Sequence, residues 1–188
     1  DTFDMASGSY TLTLAFTGAG ATVFEFSGLA TFTAGNGTVE FTATNSSGNI
    51  DIGCGNEAFY NLTLTGAETY ADPICAQYIA NNLTVNANAT FLPANTYVTG
   101  DFTGAGTVGV TSGYGIDINC NKATCLFGPT ANNDWTFEFI YINTLNSYGS
   151  TSTVRTTSGG SGKIITTGGA GSRIRIGTSS QTYNVIFD

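Results

Sequence analysis

The sequence has no histidine and few cationic residues, with 5 Lys and Arg residues against 13 Asp and Glu residues. Without an imidazole there is neither a Ser-His-Asp or Cys-His catalytic group nor a histidine-ligated metal centre. A net charge of −8 and an isoelectric point near 4.1 argue against nucleic-acid binding, because five scattered cations cannot neutralise a phosphate backbone. No apolar run approaches the roughly 18 residues that a transmembrane helix needs, so no membrane span is expected.

Short runs in which apolar and polar residues alternate dominate the rest of the sequence. Such runs contain Leu12, Phe41, Leu62 and Leu83, and clusters of Gly and Asn that are typical of turns separate them. An alternation of period two predicts strands that are wetted on one face. The exception is residues 72–80, where Asp-Pro could begin a short helix or form a simple loop. With 188 residues, 41% of them hydrophobic, the sequence predicts one ordered all-β domain over residues 1–188.

A sequence repeat with a period of about 21 residues runs through positions 39–86. It aligns apolar residues in one column and threonines in another: Phe41, Leu62 and Leu83, and Thr42, Thr63 and Thr84. A repeat of this length is typical of one coil of a parallel β-solenoid, whose coils stack about 4.8 Å apart. We therefore predict a parallel β-solenoid with coils of about 21 residues. A β-sandwich or jelly roll with a donated strand is the alternative, because the period drifts outside positions 39–86.

The four cysteines predict two disulfides and an oxidising, extracellular setting. Cys54 and Cys75 are separated by one period of the repeat, so stacked coils would bring them within disulfide distance, and Cys120 and Cys125 would close a short loop. Four unpaired buried thiols are the alternative, and the spacing argues against a zinc site. The sequence begins at Asp1 and not at Met, so we expect a mature, secreted chain from which a targeting peptide has been removed.

Five Asn-x-Ser/Thr sequons are present, at Asn36, Asn45, Asn61, Asn82 and Asn88. About four are expected by chance in so Ser- and Thr-rich a chain, so their number is not an argument for a glycoprotein. Their positions are more informative, since Asn61 and Asn82 alternate with inward leucines and should point outward. If the chain is glycosylated, we expect these two to be modified first, and Asn88 has the same parity.

The motifs that could support catalysis are weak. Residues 104–109 fit G-x-G-x-x-G, but no helix pattern follows them, so we interpret them as a glycine-rich turn. Four acids are candidates for a hydrolytic pair, and no two of them are i, i+2 neighbours on a strand: Asp101, Asp117, Asp134 and Glu138. No clustered calcium-binding loop is present. We therefore predict no enzyme, no cofactor and no metal, and solvated acids that provide solubility.

Residues 134–143 form the most hydrophobic segment. Trp135, Phe137, Phe139 and Tyr141 share one parity, and isoleucines occupy the other. We expect one strand that is apolar on both faces and therefore covered on both, either by the chain itself or by a neighbouring subunit. An aromatic platform for sugars is the third interpretation.

Three runs carry a resemblance to a known family. Residues 33–41, 58–64 and 82–85 resemble the "GTVxF … FYNLTL … NLTV" repeats of large secreted bacterial and archaeal β-helix surface proteins, over roughly residues 31–111. The resemblance implies a right-handed parallel β-helix that acts in adhesion or surface coating. The present chain is shorter and contains cysteines. In composition it also resembles subunits of extracellular filaments.

From these observations we expect a structural subunit of an extracellular filament or cell-surface layer. The terminal strands lack the lysines, prolines and bulges that block edge pairing, which predicts a homopolymer joined through them. Residues 1–9 would be donated to a neighbouring subunit or fold back on their own sheet, and residues 183–188 would form an edge strand. A carbohydrate-active β-helix enzyme is one alternative, and a carbohydrate-binding or adhesion module that contacts surface glycans is another.

Overall fold

The computed structural model describes residues 2–5, 8–17, 21–24, 31–44, 50–52, 58–71, 77–79, 81–109, 113–144, 151–156, 162–167, 173–176 and 182–186. Within these ranges the chain forms strands and turns and contains no helix, which confirms the all-β prediction. Every strand pairing is parallel.

The strands are short, as expected where turns recur every few residues. They are β1 (Thr2–Asp4), β2 (Thr11–Thr17), β3 (Ala21–Phe24), β4 (Thr31–Thr33), β5 (Thr38–Thr44), β6 (Ile50–Ile52), β7 (Ala58–Phe59), β8 (Asn61–Thr65), β9 (Thr69–Ala71), β10 (Gln77–Ile79), β11 (Leu83–Val85), β12 (Thr90–Leu92), β13 (Asn95–Val98), β14 (Phe102–Gly104), β15 (Thr107–Val108), β16 (Gly115–Cys120), β17 (Thr124–Pro129), β18 (Trp135–Phe137), β19 (Phe139–Thr144), β20 (Thr151–Thr156), β21 (Ile164–Thr166), β22 (Arg173–Ile176) and β23 (Thr182–Ile186).

The strands assemble into three main sheets, which the chain visits one after another. The eight-stranded sheet has the order β2-β5-β8-β11-β14-β17-β20-β23, the seven-stranded sheet β21-β18-β15-β12-β9-β6-β3, and the six-stranded sheet β22-β19-β16-β13-β10-β7. The strands β1 and β4 form a separate pair. Each strand from β1 to β20 other than β4 thus pairs with the strand three positions later in the chain, and the intervening strands and turns supply the crossover that parallel pairing needs.

The register between neighbouring strands follows the apolar pattern, but the number of residues between paired positions is not constant. Leu62 pairs with Leu83, as the repeat predicts. Phe41 pairs with Leu64 and not with Leu62, so the predicted column is wrong there by two residues. The next step, from Leu83 to Phe102, is shorter than the repeat predicts. Turns of different length change the spacing, whereas a slip of one residue would turn the apolar side chains outward.

The inward-facing side chains of the three sheets meet in one hydrophobic core. Its largest fully buried members are Trp135, Tyr70, Phe41, Phe59, Phe91, Phe102 and Phe137. The Trp135 and Phe102 ring centroids are 4.6 Å apart, and the indole N–H donates to the carbonyl of Gly106 at 2.9 Å. The indole is therefore buried without leaving its polar atom unpaired. The remaining, outward-facing side chains form three outer faces.

Residues 134–143 do not form the single strand that their alternation predicts. The chain turns at Glu138, so that β18 belongs to the seven-stranded sheet and β19 to the six-stranded sheet. Phe137 points into the core, while Phe139 is only partly buried and faces outward. The parity of the apolar pattern changes at this corner, and the inward positions of β19 are Ile140 and Ile142.

The structure also describes parts of the segment 72–80 and the glycine-rich residues 104–109. In the segment 72–80, residues 72–76 and 80 lie outside the described residues, and Gln77–Ile79 is a strand and not a helix. The G-x-G-x-x-G stretch forms the end of β14, a turn and β15, without a helix, which confirms the glycine-rich turn. A Cβ at Gly106 would approach the carbonyl oxygen of Ala89 to 2.6 Å, so glycine permits close stacking of this turn.

The N-terminal segment pairs within its own chain. Thr2–Asp4 lies beside Thr31–Thr33, which is the fold-back alternative for residues 1–9. The edge strand β3 of the seven-stranded sheet pairs with β6 with a shift of register between Thr22 and Phe24. At the other end, β23 pairs with β20, which agrees with a strand in the last residues of the sequence.

Candidate functional site

The four candidate acids lie at separate positions, where three of them support the backbone. Asp101 forms an ion pair with Lys122 at 2.8 Å. Asp134 accepts the backbone N–H of Lys163 at 2.9 Å, and Glu138 accepts that of Gly113 at 2.7 Å. Asp101, Asp134 and Glu138 each precede a strand of a different sheet, and Asp117 lies within β16.

A polar ladder follows the corner between the six-stranded and eight-stranded sheets. The Asn61 side-chain oxygen accepts the backbone N–H of Asn82 at 3.3 Å, and the Asn82 oxygen accepts that of Asp101 at 3.0 Å. An Asp101 carboxylate oxygen then accepts the backbone N–H of Leu126 at 2.8 Å. We call Asn61, Asn82 and Asp101 the corner ladder. It pairs backbone donors where the chain leaves one sheet and enters the next.

In the sequence, Asn61 and Asn82 stand out only as sequons, although their separation by one period of the repeat is a signal for stacking. Both side chains face away from the core, as predicted, but they are half-buried in the corner ladder. Asn36 and Asn88 are exposed, and Asn88 occupies a turn with a φ of 72°. Asn45 lies outside the described residues. Glycosylation stays a prediction, and the structure makes Asn36 and Asn88 the most accessible acceptors among the described residues.

The structure joins Cys120 and Cys125 in a disulfide, which agrees with the predicted short loop. Their Cα atoms are 5.8 Å apart, and both side chains are fully buried. The bridge connects the last residue of β16 to β17, and therefore fixes the turn between two sheets. Cys54 and Cys75 lie outside the described residues, so their pairing stays a prediction.

One apolar column of the core is exposed at both of its ends. It runs through the six-stranded sheet and the β1–β4 pair: Phe3, Phe32, Phe59, Ile79, Val98, Ile118, Ile142 and Ile176. From Phe59 to Ile142 each side chain is at most 3% exposed. Phe3 is 43% exposed and Ile176 is 48% exposed. We call this the inner column, and its two ends are exposed apolar surfaces of the same kind.

The outer face of the six-stranded sheet carries an open depression of about 210 Å³, which we call the sheet groove. Its middle is formed by Tyr97, Asp117 and Tyr141, which are directly paired on β13, β16 and β19. In the adjacent column Gly115 lies between Asn95 and Phe139. A Cβ at Gly115 would contact the carbonyl oxygen of Phe139, so the position accepts only glycine and leaves the gap that makes the groove.

Arg173 closes one end of the sheet groove. Its guanidinium carbon lies 5.4 Å from the centroid of the Phe139 ring, and an Nη2–H donates to the Tyr141 hydroxyl at 3.2 Å. The hydrogen bond from Gly113 to Glu138 holds the rim beside it. Of the four aromatic residues that share one parity in residues 134–143, Phe139 and Tyr141 lie on the outer face of β19, whereas Trp135 and Phe137 are buried in the core.

No protein-family model, curated protein or solved structure matches this chain. Among the described residues, no helix is long and apolar enough to cross a membrane. Nor does that part of the chain bring together three or more His, Cys, Asp or Glu side chains in an arrangement that could hold a metal ion.

Proposed function

We propose that this chain is a structural subunit of an extracellular filament or cell-surface layer, without enzymatic activity, that assembles by stacking its sheet edges head to tail. We also propose that the three interleaved parallel sheets form a β-solenoid with three strands in each coil. The observation that carries the proposal is the inner column, whose two ends are both apolar and exposed.

The two ends of the inner column can pack against each other, because both are apolar and both lie on edge strands. Every observed pairing is parallel, and the Phe32–Phe59 ring contact links the β1–β4 pair to β7, so we propose that β1 of one copy lies beside β22 of another and continues the sheet. A heterologous contact of this kind repeats without closing and produces a fibre. Phe3 would then cover Ile176, and the unpaired N–H and C=O groups of two edge strands would be satisfied together.

The stabilisation from one column is modest. Complete burial of a Phe or Ile side chain contributes about 1.5–3 kcal/mol, and these two side chains are already half-covered. The edge strands of the eight-stranded and seven-stranded sheets would add their own backbone hydrogen bonds. Assembly should therefore depend on several weak contacts and on protein concentration.

The extracellular location is part of the same proposal. A disulfide between Cys120 and Cys125 is typical of proteins that mature in an oxidising compartment. Charged residues make up only 10% of the sequence, so much of the outer surface consists of threonine and asparagine. The glycoprotein and adhesion hypotheses belong here as further proposals, with Asn36 and Asn88 as the accessible sequons.

Engineered cysteines test the head-to-tail contact. Paired residues of parallel strands have Cα atoms close enough for a disulfide, so Phe3→Cys combined with Ile176→Cys should give a ladder of covalent oligomers on a non-reducing gel. The matched control is Phe3→Cys with Arg175→Cys, since Arg175 lies on the same strand but faces outward.

Two results would contradict the proposal. One is a monodisperse monomer in light scattering at every concentration, with no oligomer ladder from the Phe3/Ile176 pair. The other is equal cross-linking by the Arg175 control, which would indicate unspecific association. Negative-stain microscopy of the unmodified chain should show ordered polymers, and Ile176→Asn should shorten them.

A further inference from the structure

The sheet groove is separate from the surfaces that the assembly proposal uses. Its middle lies on β13, β16 and β19, inside the sheet, and only Arg173 belongs to an edge strand. Aromatic rings that are partly exposed on an outer face are not explained by packing of the core, because the core is filled from the other face of the same strands.

We propose that the sheet groove binds a neutral pyranose ring of a glycan. Sugar rings have an apolar face that packs on aromatic side chains, and their hydroxyls require planar hydrogen-bonding groups at the ring edge. Tyr97, Phe139 and Tyr141 supply the rings. The Asp117 carboxylate can accept from hydroxyls, while the Asn95 amide and the Arg173 guanidinium can donate to them.

The size and charge of the groove select the ligand class. A volume of about 210 Å³ is below the roughly 300 Å³ at which pockets begin to enclose drug-sized molecules, so it suits one ring of a longer chain that continues into solvent. Asp117 and Arg173 balance each other inside the groove. The net charge of −8 on the whole chain opposes a polyanionic glycan, which leaves a neutral sugar as the preferred ligand.

The groove is also held in place before any ligand arrives. Arg173 contacts the Phe139 ring and donates to the Tyr141 hydroxyl, so two of the aromatic side chains have restricted rotamers. Gly115 cannot be replaced without a clash against the Phe139 backbone. Rigid aromatic side chains bind with little loss of conformational entropy, which compensates for the small contact area.

The test is affinity electrophoresis of the full chain in gels that contain dextran, mannan, galactan or soluble starch, with polygalacturonate as the acidic comparison. We expect at least one neutral polymer to retard the chain, and calorimetry with an oligosaccharide of that polymer to give a saturable isotherm. Tyr141→Ala should weaken binding at least tenfold, and Tyr141→Phe should weaken it less because the ring is retained. Tyr10→Ala is the control, since Tyr10 is 59% exposed and lies outside the groove.

Three outcomes would overturn the inference: no retardation by any neutral polymer, retardation by polygalacturonate alone, or equal binding by the parent chain and Tyr141→Ala. Asn95→Ala is a second groove variant on an exposed side chain, and it should also weaken binding if Tyr141→Ala fails to fold. The fluorescence of buried Trp135 reports whether each variant is folded. None of these results affects the cysteine cross-linking test, so the groove and the assembly proposal succeed or fail independently.

Discussion

Replacing Tyr70 by Phe should destabilise the fold, because the Tyr70 hydroxyl completes the hydrogen bonding of β5. Tyr70 is fully buried, and its oxygen accepts the backbone N–H of Ala43 at 3.1 Å. The hydroxyl hydrogen faces the carbonyls of Phe41 and Thr65. A Phe ring would fill the same space and leave the Ala43 N–H buried without an acceptor. The expected cost is about 1–3 kcal/mol in the free energy of unfolding at pH 7.

The same hydroxyl gives the prediction a second, independent signature in alkaline solution. Burial raises the pKa of Tyr70 from 10.0 to about 12, more than the hydrogen bond from Ala43 lowers it. Above pH 10 the unfolded chain loses the phenol proton, while the folded chain retains it until about pH 12. The parent chain should therefore lose up to about 3 kcal/mol of stability between pH 10 and pH 12 that Tyr70→Phe does not lose.

Urea unfolding followed by the fluorescence of Trp135 measures both effects. Tyr70→Phe should have a lower midpoint than the parent at pH 7, and the two curves should converge as the pH approaches 12. Tyr10→Phe is the matched control, because Tyr10 is 59% exposed and its hydroxyl should contribute little. Equal midpoints for the parent and Tyr70→Phe at pH 7, or parallel pH profiles, would show that the Tyr70 hydroxyl does not stabilise the fold in this way.

Three further substitutions test the packing in calorimetric melts. Thr96→Val should raise stability by about 1 kcal/mol, because the Thr96 hydroxyl is buried without a partner among the described residues. A lower melting temperature would contradict this. Gly66→Ala should reduce the free energy of unfolding more than Gly113→Ala does. Both glycines have a positive φ, but only at Gly66 would a Cβ meet the carbonyl oxygen of Ala43. Equal losses of stability would count against that clash. Asp101→Ala should lower the free energy of unfolding by about 1–2 kcal/mol, and Asp101→Asn should lower it much less, since Asn keeps the acceptor of the corner ladder. Similar losses for the two variants would mean that the ion pair with Lys122 dominates.

Much of the architecture could be predicted from the alternation of apolar residues. Where the turns of successive coils are equally long, residues one period apart in the sequence are paired, and Leu62 pairs with Leu83 as expected. The same reasoning fails for Phe41, because the turns between β5 and β8 add two residues without changing the strand pattern. A sequence offset reports the turns as well as the strands, and only the strands are constrained by the core.

The corner at Glu138 and the sheet groove were beyond sequence reasoning for related reasons. No Gly, Pro or Asn marks Glu138 as a turn, and the apolar alternation continues unbroken through it. The groove joins Tyr97, Asp117 and Tyr141, whose two spacings along the sequence are unequal and match no single period. Their proximity follows from the pairing of three strands, which depends on every turn between them.

The eight-stranded sheet defines a length that any fibre of this chain would display. Parallel strands are separated by about 4.8 Å, so eight strands, with the next copy continuing at the same spacing, correspond to an axial repeat of roughly 38 Å. Because the strands lie across the stacking direction, aligned fibres should diffract near about 4.8 Å along the fibre axis. Differences in turn length between coils would change neither spacing, since both depend on the separation of the strands.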